Sequence, residues 1–409
     1  VVMRAITRRD VSFIYSLQKG SKQYWASLGD VKRAKALDKH KERLSQDHGP
    51  SPSDLRRKIR QLSSRLFLSG KFQGTKFLPT GSACLQASVR NGGALSLADR
   101  YSFRFDDPEC KLLGRLPWFR YTLDTWRQSQ FDRFFQQALL DVSRLSEHNP
   151  RKVNVIAIPE PGKFRVITLG DGYLYSALQP LQGHMLSCWK KHYSSTMLHD
   201  DLTLKVREID LALPHLDFWC SVDYEAATDL IKKVCTLEAL EPLMSLPCGN
   251  LAWNAMFPPG IALYPDKTFC KVIEGQLMGH PLSFPILCLI NLAVYHVALT
   301  RYSKSLHGRD RLSRDDLRIR RRFVIVNGDD MLFKCNEDFY PWFLEAASDA
   351  GFKISQGKNY LSRDCAMINS QVFRRVSGTM HRFGYLNQRF LAGGSLKSGD
   401  SMSTPVQMG

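Results

Sequence analysis

Short runs of β-branched and aromatic residues, each closed by polar turn residues, punctuate the middle and later parts of the chain. Phe323–Val326 and Met331–Phe333 are two such runs, separated by Asn327-Gly328-Asp329-Asp330. Asn-Gly between apolar runs is a strong hairpin signal, because both residues tolerate positive φ. Phe218–Val222 is a third strand candidate and leads straight into Asp223, after which Ala226–Ile231 predicts a turn into a helix. Val153–Ile158 predicts a strand, Pro159-Glu160-Pro161-Gly162 a break, and Lys163–Thr168 the return strand. Alternation places Lys163 and Arg165 on one face of that strand, a sensible clamp for a triphosphate or a surface ion-pair face. Helical spacing dominates elsewhere. Gly275–Asn291 has a glycine-rich front, which predicts a loop, and an apolar back, which predicts a buried helix extending toward Leu299. Leu174–His192 reads as a helix interrupted near Pro180. The first 75 residues are basic and helical in pattern, broken at Gly49-Pro50-Ser51-Pro52, with Ser53 placed to cap a helix from Asp54. Their alternating basic and apolar positions predict one face on the core and the other solvated or turned to phosphate.

Composition narrows the partners. The 409 residues suffice for two or three subdomains, and 44% hydrophobic content excludes a disordered chain. The formal charge of +18, from 57 Lys and Arg against 39 Asp and Glu, calls for a polyanionic partner. Nucleic acid ranks ahead of an anionic membrane surface. Arg309–Arg322 concentrates seven arginines, either a solvated loop or a strip facing that partner. Ten cysteines lie singly between Cys84 and Cys365 without a C-x-x-C pair, which argues against a zinc ribbon or disulfide framework and for a reducing compartment. His184, Cys188 and His192 align on one helix face, but no fourth zinc ligand stands at a standard spacing. The longest apolar stretch, Pro285–Leu299, carries Asn291 and His296 and is short for a membrane span. No signal-peptide pattern opens the sequence, and a start at Val1 rather than Met fits a fragment or a processed product.

Adjacent Asp329 and Asp330 at the tip of an apolar hairpin repel each other unless a cation compensates. Asp223 ends another strand 106 residues before Asp329. If the two strands are neighbours in an antiparallel sheet, three carboxylates converge on one edge. Such a set suits two Mg²⁺ ions roughly 3.5–4 Å apart.

The order of the acidic and glycine-rich segments now carries a resemblance. Asp223-x5-Asp229, then Met278-Gly-x-Pro-x-Ser-Phe-Pro-x-Leu-Cys-x-x-Asn291, then Asn327-Gly-Asp-Asp330 resemble motifs A, B and C of viral RNA-dependent RNA polymerases. With Pro159-Glu-Pro-Gly-Lys-Phe-Arg165 upstream, the wording is most similar to the botourmiavirus (ourmia-like) and narnavirus polymerases. Levivirus replicases are more distant kin. The resemblance covers about residues 153–373.

It implies an α+β right-hand polymerase: mainly helical fingers over 1–215, an antiparallel-sheet palm over 216–375 with a fingers insertion at about 238–274, and a short or truncated thumb over 376–409. It implies RNA-directed RNA polymerase activity replicating a positive-strand viral genome in the host cytoplasm. The partners would be an RNA template, nascent RNA and NTPs, with two Mg²⁺ ions for which Mn²⁺ could substitute, and no membrane span. Asp223 and Asp329 would be the principal metal ligands, assisted by Asp330. Asp229, helped by Ser283, would sense the ribose 2′-OH, and Gly279 would admit the template–product duplex. Lys163 and Arg165 within motif F (159–168) would grip the triphosphate. Lys358, or less directly Lys353, would protonate the leaving pyrophosphate. Ile368–Phe373 would form the motif E hairpin. In picornavirus-like polymerases an Asn stands where this chain has Leu287, and Asn291, a turn further on, is the remaining candidate for ribose contact. Only 36 residues follow Phe373: a minimal thumb, a thumb supplied by a partner, or an incomplete sequence. Two rivals differ in chemistry. A reverse transcriptase usually carries an aromatic steric gate where Asp229 stands, and an RNA-binding protein without catalysis would explain the charge but not the acidic set.

Overall fold

The computed structural model describes residues 29–75, 77–98, 117–146, 148–160, 163–256, 260–307, 312–355 and 359–384. Lys358 and the segment 385–409 therefore lie outside the described residues. The strands are β1 (Arg151–Glu160), β2 (Lys163–Leu169), β3 (Phe218–Val222), β4 (Tyr224–Glu225), β5 (Gly260–Leu263), β6 (Phe269–Val272), β7 (Val324–Asn327), β8 (Asp330–Cys335), β9 (Lys353–Ile354), β10 (Tyr360–Ser362), β11 (Cys365–Ile368), β12 (Gln371–Val376) and β13 (Thr379–Phe383). The helices are α1 (Asp30–Ser45), α2 (Ser53–Phe67), α3 (Pro117–Ser143), α4 (Gly172–Ala177), α5 (Gln179–Lys191), α6 (Thr203–Ala212), α7 (Ala227–Leu230), α8 (Lys233–Leu240), α9 (Gly249–Met256), α10 (Ser283–Ser305), α11 (Arg314–Arg322) and α12 (Tyr340–Asp349). The architecture is mixed α+β, with several separate sheets among helices.

One sheet, in the order β10-β3-β8-β7, is antiparallel throughout. Most residues of β3, β7 and β8 are buried, because alternate positions face two different cores, whereas β10 at the edge is half-buried. Cys220, Val222, Val324, Val326, Met331 and Phe333 face one core with α10 and α12, while Trp219, Ile325 and Leu332 face a second core with α6 and the β11–β13 meander. Both faces are covered, so the strands read as continuous apolar runs.

A second sheet, β2-β1-β5-β6, joins the predicted β1–β2 hairpin to strands from the 238–274 insertion, with β1 and β5 parallel. Leu44 of α1 packs into its core with Val153, Val155, Ala262 and Val272. The short pair β4–β9 sets Glu225 opposite Lys353.

Helix α10 begins at Ser283 and is apolar all round. Its length and composition would allow it to cross a membrane, but 83% of its most apolar window is buried inside this protein, the place of a core helix. The expected helix at Asp54 starts one residue earlier, and Ser53 makes no side-chain cap bond. Leu55, Ile59 and Phe67 of α2 are buried as its spacing predicts. On its basic face Arg56 and Arg60 are paired with Glu238. The arginine run is partly helical, as α11, started by a Ser313/Asp316 capping box. His184 uses both ring nitrogens on backbone groups of Gln73 and Phe67, so packing accounts for it. The nine described cysteines are all free.

Candidate active site

The register of the β10-β3-β8-β7 sheet builds the site. Val222 pairs with Met331 and Asn327 with Asp330, so the next step along β3 sets Asp223 against Asp330. Gly328 and Asp329 form the two-residue connection between β7 and β8. Gly328 has φ +65°, whereas Asn327 is the last residue of β7 and is not in the left-handed region. Glycine alone therefore supplies the positive φ that the turn needs. All three aspartates are half-buried at one end of the sheet.

The segments that carry them are held by different parts of the chain. The Asn359 carboxamide pairs with the Asp223 backbone in both directions, Oδ1 accepting from its N–H at 3.0 Å and Nδ2 donating to its carbonyl at 2.7 Å. Ser355 N–H donates to the same carbonyl at 3.0 Å. At the hairpin, Cys288 Sγ accepts from Gly328 N–H at 3.1 Å, and Asn291 Nδ2 donates to Gly328 O at 3.1 Å. These two residues lie one turn apart on α10, so one helix face grips the glycine peptide on both sides. Asn291 Oδ1 accepts from Tyr224 Oη at 2.9 Å. Burial holds that phenol far above the usual tyrosine range, with Cys220 and Asp329 adding to the effect, so it remains a donor. Asp330 Oδ2 accepts from Asn369 N–H at 3.2 Å in the β11–β12 turn. Asn369 and Ser370 both have positive φ there, as a primed hairpin turn requires.

Asn291, expected to contact nucleotide, is fully buried, and its carboxamide is engaged within the protein. It ties the residue after Asp223 to the Gly-Asp-Asp turn. Gly279 has φ +123°, and a Cβ there would collide with the Thr168 carbonyl of β2. The close approach that this glycine permits is thus to the protein's own strand, where Thr168 N–H also donates to Met278 O at 2.7 Å. Ser283 lies behind that loop, its hydroxyl within 3.2 Å of Gln276 Oε1 and 3.3 Å of Leu277 O. Gln276 N–H in turn donates to Thr228 O at 2.7 Å, next to Asp229.

Asp229 opens no wide face to solvent, being 7% exposed. Burial raises its carboxyl to about 6, against the opposing pull of Arg43. Lys163 and Arg165 are exposed on the β1–β2 hairpin, both drawn to Glu160. A cavity of about 500 Å³ lies near the β4–β9 pair, lined among others by Lys39, Arg43, Glu225, Lys232 and Lys353. Among the described residues no group of three or more His, Cys, Asp or Glu side chains is arranged to hold a metal ion. Shared register, rather than a ready-made cage, relates the three aspartates.

Comparison with known proteins bears on this arrangement. No protein-family profile matches the chain. The RNA-dependent RNA polymerase of Ourmia melon virus (isolate Melon/Iran/VE9) is 26% identical over 424 aligned residues, taking in 91% of this chain and 46% of the relative. The RNA-directed RNA polymerase of Saccharomyces 23S RNA narnavirus is 26% identical over 147 residues, 36% of this chain and 15% of that protein. The chain is a distant homologue of viral RNA polymerases. Its match spans about half the length of the ourmiavirus relative.

Several residues that hold these polymerase-like segments in place carry no sequence signal of their own. Asn359, Cys288 and Asn369 act through backbone groups of distant residues, and nothing in their local spacing announces it. Arg43 and His40 lie 180 or more residues before Asp229, in a helix that reads only as basic and amphipathic.

Proposed function

We propose that this chain is the catalytic part of a viral RNA-directed RNA polymerase, copying a positive-strand RNA genome in the host cytoplasm by template-directed nucleotidyl transfer. In this reading the 3′-hydroxyl of nascent RNA attacks the α-phosphate of an NTP in line, and pyrophosphate leaves. The observation that carries the reading is the β3–β8–β7 register, which aligns Asp223 with Asp330 beside the Gly328-Asp329 turn across 106 residues of sequence. Its place in a segment distantly similar to viral polymerases supports the choice of reaction.

Asp223 and Asp329 are assigned as the principal Mg²⁺ ligands, with Asp330 assisting. The donor chemistry fits: Mg²⁺ is usually held by one or two carboxylates, waters and substrate phosphates rather than by an all-protein cage. Bound ions, Mg²⁺ or Mn²⁺ in its place, would lower the pKa of the attacking hydroxyl and neutralise charge on the departing pyrophosphate. Asn359, Cys288 and Asn291 keep the backbones of the two acidic segments fixed, so little rearrangement is left for the bound state. Lys163 and Arg165 bind the triphosphate, and Lys358 donates a proton to the pyrophosphate. Asp229, with Ser283 on the neighbouring loop, accepts a hydrogen bond from the ribose 2′-OH. On this reading the β10-β3-β8-β7 sheet is the palm, the β2-β1-β5-β6 sheet with α1 belongs to the fingers, and the β11–β13 meander leads into a short thumb.

Primer extension on an RNA template tests the proposal, comparing NTPs with dNTPs and Mg²⁺ with chelator. Extension with NTPs that stops on chelation is expected. Preference for dNTPs would point to a reverse transcriptase, and RNA binding without any extension to a non-catalytic binding protein.

A further inference from the structure

The basic helix α1 brings two side chains to within about 4 Å of Asp229. Arg43 forks across two carboxylates of the segment after Asp223. One terminal nitrogen pairs with Glu225 Oε1, and the other lies 3.8 Å from Asp229 Oδ2. From one turn earlier, His40 Nε2 approaches Asp229 Oδ1 at 4.0 Å. His40 is 1% exposed, its Nδ1 is bonded to Tyr264 Oη at 2.9 Å, and its Nε2 has no hydrogen-bond partner. A planar guanidinium suits this double contact better than an ammonium would.

We propose that α1 is part of the nucleotide site: Arg43, backed by His40, is a specificity-determining positioning residue that keeps Asp229 an ionised, correctly aimed acceptor for the ribose 2′-OH. The inference rests on the assignment of Asp229 to the 2′-OH. Its physical basis is the difference between the two forms of a carboxyl group. The ionised form can only accept, which matches a hydroxyl donor, whereas the protonated form presents a donor of its own. Asp229 is buried, and burial favours the protonated form. Among the described residues, the charged and titratable groups facing it are Arg43 and His40 from α1 and Tyr264 from the β5–β6 turn. Burial, and then Arg43, bring the His40 imidazole down to about 4, so Arg43 is the cation that opposes protonation of Asp229 near neutral pH.

The test is the selectivity for NTP over 2′-dNTP, as the ratio of kcat/KM values, in full-length wild-type, Arg43→Met, Arg43→Gln, Arg43→Lys and Asp229→Ala proteins, with RNA binding measured in parallel. Arg43→Met and Arg43→Gln are expected to lower selectivity by about tenfold, the scale of one charge-assisted hydrogen bond, while RNA binding is retained. The loss appears mainly in the KM for NTP. Raising the pH to about 8.5 restores part of it, because Asp229 then ionises without help. Arg43→Lys falls between, and Arg43→Met adds nothing in the Asp229→Ala background. If Asp229→Ala leaves selectivity unchanged, the assignment of Asp229 to the 2′-OH fails. If Asp229→Ala lowers selectivity but neither uncharged Arg43 variant does, at any pH, the role given to α1 is overturned.

Discussion

Asp229 shows how one buried carboxyl ties stability to pH. Its folded-state value near 6 lies above the ordinary aspartate value of 3.8, so between these two values the folded chain binds the extra proton. Stability therefore falls as pH rises from about 4 to about 6, and above that range the ionised group costs on the order of 3 kcal/mol. Asparagine carries no charge at any of these pH values. Asp229→Asn should accordingly raise the urea-unfolding free energy by up to about 3 kcal/mol at pH 8, with the gain vanishing near pH 4. An equal effect at both pH values would contradict the assignment. At this scale the acidic residues were legible in the sequence, since paired charges at the ends of apolar runs demand an explanation. The amides were not. Asn291 gave no hint that both ends of its side chain serve the Gly-Asp-Asp turn and Tyr224.

The elements around the acidic edge are fastened mostly by side chains gripping backbone. Asn359 is the clearest case, because its carboxamide imitates a strand neighbour for Asp223 at a point where β3 has ended. Asn359→Ala should lower turnover by roughly tenfold to a hundredfold and raise the Mg²⁺ concentration needed for half-maximal rate, since a loosened ligand must be ordered on binding. Template affinity should stay within about twofold of wild type, because the Asn359 carboxamide is spent on the Asp223 backbone and a single uncharged contact adds little to phosphate-dominated binding. Unchanged Mg²⁺ dependence would show that the clasp serves folding alone. Two hairpins were legible because β-branched runs end at turn residues, and β1–β2 and β7–β8 lie where those runs put them; the β11–β12 turn falls within 368–373, a hairpin that only the family resemblance implied. The parallel pairing of β1 with β5 was not, because pairing across about a hundred residues is set by the core that α1 completes rather than by any local pattern.

For the whole molecule, the charge of +18 is the property that sequence states most openly, while the fold decides which cations are available. Arg56, Arg60, Arg301 and Arg375 are paired with acids, which leaves a smaller set to meet phosphate. If about five to eight phosphates are neutralised, log affinity for single-stranded RNA should fall against log salt with a slope of roughly −3.5 to −5.6. A slope near zero, measured by filter binding across a salt series, would remove nucleic acid as the partner. The division into separate sheets, with β5 and β6 joined to the β1–β2 hairpin, was not legible, because it emerges only from packing around α1 and α10. The central claim is that the Asp223 and Asp329–Asp330 edge transfers nucleotides. Nucleotide incorporation by Asp329→Ala protein on a primed RNA template tests it most directly. Incorporation should fall below detection while RNA binding stays close to wild type; incorporation at the wild-type rate would contradict it.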